Sequence, residues 1–127
     1  MTREIPQKDW PKFCQMVSEK YQGARVNIQV INGRVDKVAQ DVQFQQMSLD
    51  VEPSACNNLL RIKMESAQYE VFEPIHMILR KPKGVIGAEH YHDLEIPSEN
   101  GTTVITIHPG ITVENVNAVC SGARASA

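Results

Sequence analysis

Long hydrophobic runs, an excess of charge of one sign and abundant aromatic side chains are all missing from this sequence. No stretch approaches the ~20 consecutive apolar residues of a transmembrane helix, so we expect no membrane partner. The 13 Lys and Arg residues against 15 Asp and Glu residues give a net charge of -2, which argues against a strongly basic nucleic-acid-binding domain. Only three Tyr, three Phe and one Trp are present, which leaves few rings to stack on single-stranded bases.

Cysteine is also scarce. The three cysteines, Cys14, Cys56 and Cys120, fit neither a zinc knuckle nor a CxxC redox motif. The first residues lack the apolar segment of a signal peptide, and proteins that are not secreted usually keep their thiols reduced. We therefore predict a cytoplasmic protein with free thiols, and we place Cys14 in the core because it lies on the apolar face of a predicted helix.

What the chain does contain is enough apolar sequence for one folded domain. It has 127 residues, of which 42% are hydrophobic and 22% are charged, as in ordinary globular proteins. We expect a single helix-plus-sheet domain over residues 1–110 and a C-terminal tail over residues 111–127. In that tail, Thr112 is a candidate cap for a short helix, and residues 121–127 are expected to fray.

An amphipathic helix is predicted near the N-terminus, between Ile5 and Gln22. Pro11 is tolerated only in the first turn, so the regular helix should begin near Lys8 or Asp9. Gly23 suits the left-handed position that ends a helix. The apolar positions follow a period of 3.6 residues, and they are Trp10, Phe13, Cys14, Val17 and Tyr21.

Later segments alternate with a period of two, which is typical of strands. Asn32-Gly33 predicts a hairpin turn, and a slip in the alternation at Gln45-Gln46 predicts a bulge. Pro74 favours an edge position or a break in its strand. Hairpin-linked strands are antiparallel, so the fold class is α+β. We predict an N-terminal helix packed on a bent antiparallel sheet of five to six strands, or on a small barrel.

Three stretches between Thr2 and Ile107 follow the pattern of a known family. The first is Arg3-Glu4-Ile5-Pro6 with Trp10 and Phe13 after it. The second is His76, Ile78, Pro82 and Val85, and the third is Leu94-Glu95-Ile96 with Asn100-Gly101-Thr102-Thr103. Together they resemble a bacterial family of short proteins classed as a domain of unknown function. The resemblance implies a small cytoplasmic protein with no assigned activity and supplies no catalytic residues.

A second resemblance concerns the fold. The chain has a predicted helix, then a strand ending in Val30-Ile31-Asn32-Gly33, then a long bent strand through Gln45-Gln46-Met47-Ser48-Leu49. This order is similar to the start of Sm-like proteins. The similarity implies a helix before a five-stranded barrel of the Sm or SH3 kind, assembly into rings and RNA binding. Gln45 stands where that family has an acidic residue, and the second glycine of its motif is absent.

His90 and His92 form the best candidate for metal binding. On a strand, alternate side chains point the same way, so both imidazoles would reach one ion. Glu89 and Asp93 flank them, and His76 or His108 would have to supply a third ligand. The opposing interpretation is a solvated loop around His90 and His92, and a His76 that is half-buried and hydrogen-bonded within the sheet.

A short basic cluster, Arg80, Lys81 and Lys83, is the candidate for contact with nucleic acid or another anion. Its alternative role is to keep a turn soluble and to shield a sheet edge with charge. The glycines that follow lack the spacing of a phosphate-binding loop, so we expect no cofactor.

The sequence shows no paired nucleophile and base and no pair of carboxylates that would indicate an enzyme. The sequence therefore predicts a small non-enzymatic binding or assembly module, which we expect to be homo-oligomeric because small sheets have edges that must be covered. Two alternatives remain open: an Sm-like RNA-binding protein, and a metal-binding protein that uses His90 and His92. An unknown protein partner is also compatible with the sequence.

Overall fold

The computed structural model describes residues 2–52, 57–82 and 89–120. Within them, the chain forms an eight-stranded antiparallel sheet and two α-helices. The strands are β1 (Thr2–Glu4), β2 (Arg25–Ile31), β3 (Val35–Glu52), β4 (Asn57–Met64), β5 (Gln68–Phe72), β6 (Ile78–Arg80), β7 (His90–Ser98) and β8 (Gly101–Thr112). The helices are α1 (Trp10–Lys20) and α2 (Val113–Val119). Neighbours across the sheet follow the order β1-β6-β7-β8-β2-β3-β4-β5.

The predicted α+β class and the antiparallel sheet are confirmed, but the strand number and the barrel are wrong. The sheet has eight strands rather than five to six, and it is open, with β1 and β5 at its two ends. β1 and β6 have three residues each, which is too short to leave a periodic signal. Because the described strands do not close into a barrel, the architecture implied by the Sm-like resemblance is absent.

The long strand β3 connects the two parts of the sheet. Its first part pairs with β2 and its later part pairs with β4. The pairing with β4 shifts register between Phe44 and Gln46, which confirms the predicted bulge. The extra residue lets Phe44 and Met47 both face the core, where each is buried.

Helix α1 packs against β3 and begins and ends where the sequence predicts. A short 3-10 turn precedes it, Pro11 lies in its first turn, and Gly23 follows it with a φ of 90°. The hydroxyl oxygen of Ser18 accepts a hydrogen bond from the backbone N–H of Met47 at 2.9 Å. Helix and strand are therefore joined directly after the bulge.

The C-terminal part of the described chain packs onto the same core. Ile111, Val116 and Cys120 are buried. The predicted helix after Thr112 is present as α2, and the Thr112 hydroxyl caps it by accepting a hydrogen bond from the Asn115 N–H at 3.1 Å. The Tyr21 hydroxyl accepts a hydrogen bond from the Thr112 N–H at 2.9 Å and so connects the two helical regions. The predicted fraying of residues 121–127 lies outside the described residues.

Neither helix of the described residues has the length and apolar character needed to cross a bilayer.

Candidate functional site

The structure does not bring the three candidate metal-binding histidines together. His76 lies between β5 and β6, and its Nδ1 is 2.7 Å from Glu4 Oε2. The next backbone contact, from the Ile75 N–H to the Pro97 carbonyl at 2.8 Å, places this segment beside the last residues of β7. His92 lies five residues before Pro97, a separation of roughly 16 Å along a strand. His76 is therefore a partner of Glu4 rather than a third ligand.

His90 and His92 are in β7, not in the predicted loop. The register of β7 against β8 shifts between Tyr91 and Asp93, so the strand is irregular at His92. His92 Nδ1 is 3.4 Å from Asp93 Oδ1, and the His90 ring lies close against Gly110. Across residues 2–52, 57–82 and 89–120, no three His, Cys, Asp or Glu side chains are placed to hold a metal ion. Metal binding by the pair stays a prediction.

The described members of the basic cluster already have partners within the protein. Arg80 forms an ion pair with Glu95 of the neighbouring strand β7. The Lys81 ammonium lies 5.8 Å from the centre of the Tyr91 ring, within cation–π distance. Lys83 lies outside the described residues. Anion contact by Arg80, Lys81 and Lys83 thus stays a prediction, and Arg80 would have to leave Glu95 to take part.

Two thiols are free and buried, as predicted for Cys14, whereas Cys56 lies outside the described residues. Burial raises the pKa of Cys14 to about 12, and burial also raises the pKa of Cys120. Cys14 lies at the base of a groove of about 390 Å³ between α1 and β3. A thiol needs a lowered pKa to act as a nucleophile near neutral pH, so neither of these two residues is suited to catalysis.

Because the pKa of Cys14 is raised, the free energy of unfolding should depend on pH in the alkaline range. Above the ordinary thiol pKa of 9.0 the unfolded chain has lost this proton, whereas the folded chain keeps it up to about pH 12. We expect the free energy of unfolding to fall with rising pH in this interval, by up to about 1.4 kcal/mol per pH unit from this group. In Cys14→Ala that contribution is absent. The free energy of unfolding, measured by urea denaturation, should therefore fall less between pH 8 and pH 10 in this variant than in the unmodified protein. An equal fall in the free energy of unfolding in both proteins would contradict the raised pKa of Cys14.

The free edge of β5 is the feature that the sequence-based search for functional residues missed. Among the described strands, β5 pairs with β4 alone, on one side. The Glu73 N–H donates to the Asn58 carbonyl at 2.9 Å, and the Met64 N–H donates to the Ala67 carbonyl at 2.8 Å. Because hydrogen bonding alternates along an antiparallel strand, the odd-numbered residues of this segment bond to β4. The backbone groups of Gln68, Glu70 and Phe72 therefore point away from the sheet.

Large apolar side chains are exposed at this edge. Phe72 is 59% exposed and Ile75 is 52% exposed. Beside them is a cleft of about 120 Å³, whose opposite wall includes Val30 and Gly101. Glu70, in the middle of the strand, accepts a hydrogen bond from Arg61 of β4 at 3.0 Å. Pro74 was the one signal in the sequence for an edge here, and β5 does end two residues before it.

A second group of exposed apolar side chains lies on the β2–β3 hairpin. Ile31 and Val35 are cross-strand partners there, and Val38 is 44% exposed. Over residues 35–42, β3 pairs with β2 but with no other described strand, so this group also lies beside an unpaired strand edge. That edge carries the exposed charged residues Asp36, Lys37 and Asp41, which shield it from another strand.

Searches with family models, curated proteins and solved structures found no match to this chain.

Proposed function

We propose that this protein is a non-enzymatic binding or assembly module of the cytoplasm and that it self-associates through β5. The observation that carries the proposal is the edge of β5 with which no described strand pairs, with Phe72 and Ile75 exposed beside it. An edge strand with free backbone groups is a ready template for another strand, and proteins usually shield such edges.

The two ends of the sheet differ in how well they are shielded. β1 has only three residues and carries Glu4, and short, charged strands are poor templates. β5 has five residues, and its one charged residue, Glu70, is paired with Arg61. Hydrogen bonding to Glu70, together with the charge of Asp50, raises the pKa of Arg61. A compensated carboxylate repels a partner strand less than a free one does.

The chemistry of the described side chains also favours binding over catalysis. Cys14 and Cys120 are buried and keep their thiol protons. The His76 ring lies within hydrogen-bond distance of the Glu4 carboxylate. One hydroxyl does lie beside a carboxylate: Thr106 donates a hydrogen bond to Asp93 Oδ1 at 2.8 Å. Among the described residues, it lacks the directly adjacent His or amine base that usually activates a hydroxyl nucleophile.

The test is the molar mass of the purified protein, measured by sedimentation over a range of concentrations. We expect the unmodified chain to dimerise or form a larger oligomer, and we expect Phe72→Ser to weaken this association at least tenfold. The matched control is Val38→Ser, which removes an exposed apolar side chain from the hairpin instead and should leave the association unchanged. A monomeric unmodified protein at high concentration would overturn the proposal, as would equal effects of the two substitutions.

Ultraviolet absorbance recorded in the same runs tests the RNA-binding alternative. Nucleic acid that sediments with the protein and is released by salt would favour that alternative.

A further inference from the structure

We infer that the strand that pairs with β5 is β5 of a second copy, running antiparallel to it, with the two-fold axis at Val71. This inference rests on the proposed self-association and specifies its geometry. It identifies the partner as the same strand, so the interface uses one surface twice.

The hydrogen-bonding pattern of β5 limits how two copies can pair. The free backbone groups belong to the even-numbered residues, since the odd-numbered ones bond to β4. Even residues of one copy must therefore face even residues of the other. Within β5, that places the two-fold axis at Tyr69, Glu70 or Val71.

Charge separates these three arrangements. With the axis at Glu70, each Glu70 carboxylate lies directly opposite its own twin, and like charges in that position are unfavourable. With the axis at Val71, each Glu70 lies opposite Phe72 of the other copy, and each remains beside its own Arg61. An axis at Glu70 would add two backbone hydrogen bonds, but the repulsion between the two directly opposed carboxylates would offset their stabilising effect.

Apolar burial favours the same arrangement. With the axis at Val71, the two Phe72 rings become diagonal neighbours across the interface, at a separation that aromatic side chains can span. Phe72 is the most exposed large apolar side chain among the described residues, at 59%. With the axis at Tyr69, Phe72 extends past the end of the partner strand and stays in water.

Disulfide trapping distinguishes the arrangements. At an axis at Val71, the two Val71 residues form a directly opposed pair with Cα atoms about 4.5 Å apart, which suits a disulfide. In a Cys56→Ser background, the remaining native thiols are the buried Cys14 and Cys120. We expect Val71→Cys to become a covalent dimer on mild oxidation. Mixed Gln68→Cys and Phe72→Cys chains, which would be opposite each other with the axis at Glu70, should stay largely uncrosslinked. Val38→Cys, on the hairpin, is the control for random collision and should not crosslink.

A second measurement covers the case in which Val71→Cys does not fold. Mixed Glu70→Cys and Phe72→Cys chains should crosslink to each other more than Phe72→Cys does to itself, because these positions are opposite each other in the inferred pairing. Crosslinking between Gln68→Cys and Phe72→Cys chains, which keep Glu70 and are opposite each other only with the axis at Glu70, would overturn the Val71 axis while leaving self-association intact. A dimer that none of these cysteines traps would overturn pairing through β5. A protein that sediments as a monomer would overturn the proposed function as well.

Discussion

Replacing Trp10 with alanine is expected to lower the free energy of unfolding by about 3–5 kcal/mol. Trp10 is 1% exposed and lies at the start of α1, where it helps to hold the helix against the sheet. Its indole N–H donates a hydrogen bond to the Ile5 carbonyl at 2.9 Å. The substitution removes the largest buried side chain and also leaves that carbonyl without its partner. Because domains of this size are stable by only about 5–15 kcal/mol, the loss is a large share of the total.

The matched control for this prediction is Trp10→Phe. Phenylalanine keeps much of the apolar volume but cannot donate to Ile5, so we expect a smaller loss of about 1–3 kcal/mol. Urea denaturation followed by far-ultraviolet circular dichroism measures both variants, since Trp10 is the only tryptophan and its fluorescence is lost with it. Equal losses for the two substitutions would show that the hydrogen bond, rather than the volume, dominates.

Ser18→Ala is expected to destabilise the protein by about 1–3 kcal/mol although it removes a single oxygen atom. The Ser18 oxygen accepts from the Met47 N–H at 2.9 Å, and it lies 2.8 Å from the Cys14 carbonyl and 2.9 Å from the Met47 carbonyl. Its one proton goes to one of those carbonyls. Without the hydroxyl, the Met47 N–H next to the bulge loses its partner in a partly buried place, where water replaces it poorly.

Ser48→Ala provides the control for Ser18→Ala. Ser48 is half-buried on the same strand, and its hydroxyl makes no hydrogen bond to the described residues. We expect its substitution to change stability by less than about 0.5 kcal/mol. Hydrogen exchange of the Met47 amide gives a local readout, because this amide should exchange faster in Ser18→Ala than in Ser48→Ala. Similar exchange rates in the two variants would mean that the Ser18 hydroxyl does not hold the bulge.

Features set by near neighbours in the chain were predictable from the sequence. Pro11 and Gly23 mark the two ends of α1, and the break in alternation at Gln45 and Gln46 marks the bulge. In each case, a few adjacent residues determine the backbone conformation. The same reasoning identifies the cap at Thr112.

Features set by distant pairing were not predictable in this way. β1 and β6 have three residues each and become strands only by pairing, with Glu4 opposite Ile78. The same limit affects the candidate site residues. The sequence predicts Arg80 as an anion contact, but the fold places Glu95 beside it. The sequence also offers His76 as a metal ligand, but β1 places Glu4 beside its ring. The unpaired edge of β5 depends on the order of all eight described strands, so Pro74 was its one indication in the sequence.

The pairing of β1 with β6 also affects how the protein folds while it is being made. Glu4 can pair with Ile78 only after Ile78 has left the ribosome. At translation speeds of ~5–20 residues per second, that wait is roughly 4–15 s. In the meantime β2, β3 and β4 can pair with one another, because the contacts between them are closer in sequence. β1 is thus synthesised before β6 but pairs late, and the Ile5 N–H finds its acceptor, the Met77 carbonyl, only then.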